Sequence, residues 1–428
     1  MLCIKDGMVV DGISSAPYKA DILIHDGKVI DIGANIGDAA DEIIDAAGRW
    51  VLPGLVDAHC HLREPGFEYK EDIGSGTRSA AAGGFTSVAC MANTNPVIDS
   101  AAMVNYVRAM ARAKGVVKVY PIAAVTKGQQ GQELTEMGEL KEAGAVALSD
   151  DGRPIMDSRL MKLALQYAKG IGMLVISHCE DLSLVGDGVM NEGYMATVLG
   201  LKGITRAAEE VMVARDIILA EVLDAPVHIA HVSTRGSVEL IRQAKGRGVK
   251  VTCETAPHYF SATDAWVDGY DTNAKVNPPL RTDDDVEAIK QGLRDGTIDI
   301  IATDHAPHSR DDKEVEYGLA ANGISGFETA FSLAYTHLVE TGILTIQELV
   351  QKMSKGPADI LNIDAGTIEA GKPADIIVAD LHRTYTVDVS KFYSKGKNSP
   401  FHGCTIKGKI IHTIVDGKII MKNEKIFI

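Results

Sequence analysis

The stretch VLPGLVDAHCHLREPG (residues 51–66) carries an apolar run straight into two histidines, an arginine and a glutamate. Such a run, ending in polar side chains, reads as a buried strand that delivers its C-terminal end to a site. Seven runs downstream share the pattern: FTSVACMAN, VKVYPIAAV, AVALSDD, MLVISHC, PVHIAHVS, VKVTCETA and DIIATDH. Helical patterns intervene, among them DSRLMKLALQYAKG and TRGSVELIRQAKGRG, the second with Gly248 placed to stop it. Strand and helix alternating eight times over roughly 280 residues predict an α/β fold, a (β/α)8 TIM-like barrel rather than an open sheet. The connection between the seventh and eighth runs, about 40 residues, is long enough to expect function in it.

Outside the barrel text the rhythm changes. LCIKDGMVVDG, ADILIHDGKVIDIG and DEIIDAAGRWV at one end, and ADIIVADL, TYTVDVS and KIIHTIVDGKIIM at the other, read as short strands. The Asp-Gly pairs at the first end predict hairpins. Neither end holds enough strands for a core, so the two are expected to form one small β domain. The expected division is 1–52 and 366–428 for that domain and 53–365 for the barrel.

Of the 428 residues, 46% are hydrophobic and 24% charged, ample for a core, and the formal charge is −15. That balance argues against a nucleic-acid footprint or a basic membrane surface. No signal peptide or apolar run of ~18 residues is legible. Cys3, Cys60, Cys90, Cys179, Cys253 and Cys404 are scattered without a C-x-x-C pair, as expected of reduced thiols in a cytoplasmic protein.

The polar residues that close the runs are His59 and His61, Asn93, Asp151, His178, His231 and Asp304. In a (β/α)8 barrel the strand C-termini form the active face, so these residues converge. His59 and His61, two apart, can aim at one point. On those two alone, hydrogen-bonded loop histidines remain an open alternative. Adding His178, His231, Asp151 and Asp304 gives four imidazoles and two carboxylates, a donor set for zinc-like divalent ions and too many for one catalytic metal. Two metals would use all six. By strand parity His228 points away from His231, and His305 away from Asp304. His258 is expected beside the site rather than in it, and the remaining histidines carry no signal.

DAHCHLREPG, MANTNP, SDDG, SHCED, AHVST, VNPPLR and IATDHAPH, in this order along nearly the whole chain, resemble the dihydroorotases of the amidohydrolase superfamily, of the bacterial single-function type. The resemblance implies a barrel with a small β-sandwich built from both termini. It implies that His59, His61 and Asp304 bind one zinc, that His178 and His231 bind the second, and that Asp151 bridges them. Many relatives bridge the metals with a carboxylated lysine; AGAVALSDDG has no lysine, and Asp151 matches the subset with aspartate, with Asp150 beside it as the alternative.

The implied reaction is the reversible interconversion of N-carbamoyl-L-aspartate and L-dihydroorotate plus water, with Asp304 as general base and then acid. The substrate carboxylate suits the Arg63 guanidinium, which offers a bidentate fork; a surface ion pair of Arg63 with Glu64 or Glu68 is the other reading. The resemblance adds His61, Asn93, Asn277, His308 and the main chain of Asn322 and Gly323 as substrate contacts, and implies a homodimer. Two rivals are distinguishable. An allantoinase or dihydropyrimidinase takes substrates without the ring carboxylate, which leaves Arg63 unexplained. A catalytically dead scaffold for aspartate transcarbamoylase is expected to lose metal ligands, whereas all six candidates are present; an active chain could still associate with the transcarbamoylase.

Overall fold

The computed structural model describes residues 1–37 and 40–427. Eight parallel strands, hydrogen-bonded in chain order, form the barrel: β1 (Leu55–Cys60), β2 (Phe85–Cys90), β3 (Lys118–Ala123), β4 (Ala147–Leu148), β5 (Val175–Ser177), β6 (Val227–Ile229), β7 (Val251–Thr255) and β8 (Ile300–Ile301). Ala58, Ala89, Ile122, Ala147, Ile176 and Ile300, from six strands, and Ala230, directly after β6, form one buried cluster, the lumen; small side chains dominate because eight strands leave little room inside. The alternate residues, such as Val175, Val227, Ile229 and Cys253, pack outward on the helices. The helix Ser158–Ile171 shows why its segment folds so: Asp157 accepts from the N–H groups of Arg159 and Leu160, Met161, Ala164, Leu165 and Ala168 make one buried face, and Gly172 (φ 65°) ends it.

Both termini share one nine-stranded sheet. Trp50–Pro53 lies between Leu2–Val9, to which it runs parallel, and Ile376–Thr386, to which it runs antiparallel. Alternation then divides the sheet's faces. Ile376 and Val378 join Ile4, Ile22, Val51 and Ile414 in a core of the sheet's own, while Ile377 and Ala379 belong with Phe85, Phe327 and Met421 to the core shared with the barrel. Asp26-Gly27 makes the expected hairpin, both residues at positive φ (47° and 78°), and Asp416-Gly417 makes another (46° and 72°). Asp6-Gly7 does not. The strand continues through it as a bulge, because residues on either side pair with the same neighbour, Tyr18–His25. Glycine is required there: a Cβ would meet Val51 Cγ2 at 2.3 Å. Among the described residues, no helix is long and apolar enough to cross a membrane.

The seam between β8 and β1 is closed differently from the others. The peptide N–H of His61 donates to His305 O (2.9 Å), and Cys60 and His305 form an isolated bridge. Below them the buried Asp57 carboxylate accepts from Thr303 N (2.8 Å) and Thr303 Oγ1 (2.7 Å). A side chain thus supplies the acceptors that an eighth ladder would have supplied, one residue before Asp304. Asp57→Ala should strand two buried donors at roughly 1–3 kcal/mol each and lower the urea midpoint of the metal-free protein, with Asp57→Asn losing less. An unchanged midpoint for Asp57→Ala would show that the seam does not depend on it.

Candidate metal centre

Asp151, just past β4, is the hub. Its Oδ1 lies 3.4 Å from His59 Nε2, 3.3 Å from His178 Nδ1 and 3.4 Å from His231 Nε2, and its Oδ2 lies 3.5 Å from His61 Nε2. Asp304 Oδ1 is 3.1 Å from His61 Nε2 and 3.6 Å from His59 Nε2. All six predicted residues therefore meet: five form two overlapping groups, His59–His61–Asp151 and Asp151–His178–His231, and Asp304 adjoins the first through His61 and His59. Asp150 turns the other way: its carboxylate accepts from Val125 N (2.8 Å), Thr126 N (3.1 Å) and the Thr126 hydroxyl.

Local backbone directs this convergence. His231 (φ 33°), Asp304 (φ 46°) and Arg63 (φ 62°) all adopt left-handed φ just beyond a strand end, a cost of about 1–3 kcal/mol each that is commonly found at functional sites. That turn also breaks the parity argument for His228. β6 ends at Ile229, so His231 no longer follows strand alternation, and His228 points into the lumen beneath the cluster rather than away from it. His305 does face away, stacked on Phe327 at 4.1 Å with Nδ1 accepting from Gly326 N. His258 lies in the first turn of a short helix (Pro257–Ser261) beside the cluster, and burial pushes its pKa down to about 4.

The outer nitrogens fix what the inner ones offer. His59 Nδ1 donates to Glu254 Oε1 (2.6 Å), His61 Nδ1 to Asn93 Oδ1 (2.9 Å) and His178 Nε2 to Glu180 Oε2 (3.3 Å). Because those oxygens only accept, the three imidazoles turn lone pairs inward. His178 Nδ1 and His231 Nε2 then stand 2.7 Å apart. Among the described residues His59 Nε2 and Asp151 Oδ1 are buried with no hydrogen-bond partner. Burial opposes charge on His178, but Asp151 and Glu180 outweigh it and raise its pKa to about 10; His59 is held high by Asp151 and Glu254 against the same opposition. These shifts belong to the metal-free chain, where a second proton supplies the positive charge the acids demand; a metal would displace that proton and take the lone pair. Imidazole lone pairs facing carboxylates fit a metal cofactor, which would satisfy the orphaned atoms together.

Above the cluster lies a cavity of about 160 Å³ walled by His61, Arg63, Asn93, Asn277, Asp304, Asn322 and Gly323, among others; His59 is buried below it and His308 sits behind Arg63. Arg63 donates through Nε to Pro307 O (3.2 Å). It does not pair with Glu64, which instead meets Lys114 at 2.8 Å, nor with Glu68, which accepts from Gly66 N. His308 takes Lys70 Nζ at its Nδ1 (3.2 Å), so its Nε2 carries the proton given to Asn322 O (2.8 Å); Arg63 Nη2, 3.2 Å from that same nitrogen, faces a donor and remains available. Burial and the nearby cations push the His308 pKa down to about 2, so it is neutral. Asn93 spends its amide oxygen on His61, and Gly323 gives its N–H to Lys275 O (2.9 Å). At Gly323 (φ 150°) a Cβ would meet Ala306 O at 2.5 Å. The 309–323 segment is tied down: Lys313 Nζ is buried on the carbonyls of Ala321 (2.8 Å) and Lys275 (3.2 Å).

Two acids escaped the sequence reading. Glu180 lies in SHCED without having been assigned, and Glu254 lies in VTCETA. For Glu254 the available signal is a carboxylate inside a strand, since such a group is rarely buried unpaired; Glu180 lies past its strand and carries no such signal.

Comparison with known proteins agrees with this geometry. The Dihydro-orotase-like family profile matches residues 48–237 and the Amidohydrolase family profile residues 191–421. The chain is 59% identical over 423 residues to a dihydroorotase of Acetivibrio thermocellus, covering 99% of each. It is 58% identical over 422 residues to one of Geobacter metallireducens, covering 98% of this chain and 99% of that one. In fold it resembles an L-hydantoinase (dihydropyrimidinase) from Arthrobacter aurescens, with a TM-score of 0.90 at 26% identity, covering 100% of this chain and 97% of the other. Identity held at that level from end to end places the chain in the dihydroorotase family of the amidohydrolases.

Proposed function

We propose that this chain is a zinc-dependent cyclic amidohydrolase that interconverts N-carbamoyl-L-aspartate and L-dihydroorotate plus water in pyrimidine (UMP) biosynthesis. The observation that carries the reading is the inward set of imidazole nitrogens around Asp151, beside a guanidinium that meets no carboxylate among the described residues. In this reading His59, His61 and Asp304 hold one zinc, His178 and His231 the second, and Asp151 is shared. Bound there, the pair would lower the pKa of water toward ~7 and polarise the ring carbonyl.

The chain's own residues do the rest. Burial opposes ionisation of Asp304, but His61 and His59 outweigh it and hold the carboxyl below its ordinary range, so it enters as a carboxylate. Its contacts with His61 and His59 are through Oδ1, which leaves Oδ2 to take a proton from the attacking water and to return it to the departing ring nitrogen. Arg63 clamps the substrate carboxylate through two N–H groups. Asn277, whose Oδ1 is buried without a partner among the described residues, suits a ring N–H. Asn93, Asn322 and Gly323 frame the same cavity, with His308 behind Arg63 and Lys70 keeping the His308 proton on Nε2. A second reading, a dihydropyrimidinase, draws on the structural likeness to the hydantoinase; the unpaired Arg63 favours a substrate with a carboxylate.

The division at 365/366 is supported by Ile368 and Ala374, which lie in the core of the terminal sheet; the division at 52/53 falls one residue inside the strand Trp50–Pro53, whose Pro53 still pairs with Ile376. We take the working form to be a cytoplasmic homodimer able to associate with aspartate transcarbamoylase. Gel filtration of the chain alone and with the transcarbamoylase should give a dimer and then a larger species; monomer elution in both runs would reject the two assignments.

Zinc quantification and a ring-opening assay on one preparation should find two zinc ions per chain, with activity lost to chelator and restored by zinc. Dihydroorotate should be preferred over hydantoin and dihydrouracil assayed beside it. Asp151→Ala should lose at least one of the two metals; full occupancy would reject the shared position. Arg63→Ala should raise KM for dihydroorotate by roughly 10- to 100-fold, the worth of a charged hydrogen-bonded pair, at normal metal content. Unaltered KM would remove the clamp.

A further inference from the structure

Under the cluster, on the inner wall of the barrel, stands a polar column that the chemistry above leaves unused. Glu254 on β7 is 1% exposed, among lumen residues that are otherwise mostly small and apolar. Its Oε1 accepts from His59 Nδ1 at 2.6 Å, and its Oε2 accepts from His228 Nε2 at 3.2 Å. His228 Nδ1 is in turn 2.8 Å from Thr252 Oγ1, two residues back along the same strand as Glu254. The His231 N–H adds a longer contact to Oε1, at 3.4 Å. A buried carboxylate is costly unless its lone pairs are used. Here they are used, and the two acceptors tie the first, sixth and seventh strands together directly below the donor set.

The ligands above are not supported alike. His59 is backed by a carboxylate that solvent does not reach. His61 is backed by the neutral amide of Asn93, at 2.9 Å. His178 has Glu180, but at 3.3 Å and at the rim, with the side chain 11% exposed and shared with Asn277. Among the described residues no carboxylate stands behind His61 or His231; those that approach them, Asp151 and Asp304, do so from the cluster side. A carboxylate behind a ligating imidazole fixes the tautomer and raises the basicity of the far nitrogen. The nitrogen so presented, His59 Nε2, is the buried one without a partner.

We infer that Glu254, held by His228, is a positioning residue that makes the His59–His61–Asp304 position the tighter of the two metal positions. This rests on the two-metal reading above and adds a ranking to it. Glu254 touches neither metal nor substrate in this scheme; it acts through His59.

The test is competition of metal-free protein with a chromophoric chelator for zinc, comparing wild type with Glu254→Gln, which keeps the shape and one acceptor but removes the charge. Wild type should bind in two resolved steps. Glu254→Gln should lose roughly 10- to 100-fold in the tighter step, the usual effect of removing such a partner, with the looser step unchanged. Circular dichroism of the metal-free variant should match wild type, which separates lost metal affinity from a lost fold, while its urea midpoint should fall modestly because the amide returns one acceptor of the two. Equal affinities for wild type and variant, or equal weakening of both steps, would overturn the inference while leaving the proposed function intact. A wild-type chain that binds no zinc would overturn both. Should Glu254→Gln not fold, His228→Gln probes the column from its far end; it should weaken the tighter step in the same sense and by less, and wild-type affinity there would equally overturn the assignment.

Discussion

The constraint on which the centre depends is where three protons sit. An imidazole can offer a lone pair inward only if its other nitrogen keeps the hydrogen, and Glu254, Asn93 and Glu180 each hold one of those hydrogens outward. Much of the architecture around the barrel's mouth follows from this. The chain three residues past β2 must bring the Asn93 amide to His61, the chain three residues past β5 must bring Glu180 to His178, and β7 must carry a carboxylate through a lumen built for alanine and isoleucine. The left-handed turns at His231 and Asp304 complete the arrangement by bringing side chains inward where a continuing strand would have alternated them.

Much of this could be read from the chain. Eight apolar runs with polar ends predicted the barrel and its face, because strand C-termini in this architecture share one mouth. The six convergent residues followed from position alone. Parity was less dependable. It placed His305 away from the cluster, as found, but His228 falls beneath the cluster because the strand stops at Ile229 and the turn at His231 resets the direction. Asp6-Gly7 misled for a related reason: a dipeptide that favours positive φ serves a hairpin or a bulge equally, and only the pairing of the neighbouring strand distinguishes them. Hydrogen-bond partners behind the ligands were beyond local pattern, since His59 and Glu254 are 195 residues apart in sequence.

The substrate side of the cavity is governed by unpaired charge. The chain carries an excess of acids, yet Arg63 sits against a carbonyl and a neutral imidazole instead of a carboxylate. Keeping an arginine unpaired beside a cluster that holds Asp151 and Asp304 requires both acids to be engaged elsewhere, and the imidazoles engage them. Cation selection and anion selection are thereby separated within a few ångströms, each acid turned to the histidines and the guanidinium turned to the open space. The tethered 309–323 segment, with Lys313 seated on main-chain carbonyls, forms part of the wall as it stands.

The sheet shared by the two termini has a consequence for synthesis. Trp50–Pro53 leaves the ribosome early, but its partner Ile376–Thr386 emerges only when the barrel sequence is finished. Until then the nascent chain displays an open strand edge at Trp50–Pro53, and the outer surface around Phe85 and Phe327 lacks its cover from Ile377 and Ala379. Truncation near residue 370 would make that transient exposure permanent, so release of an incomplete chain should yield sticky material rather than a shorter working barrel.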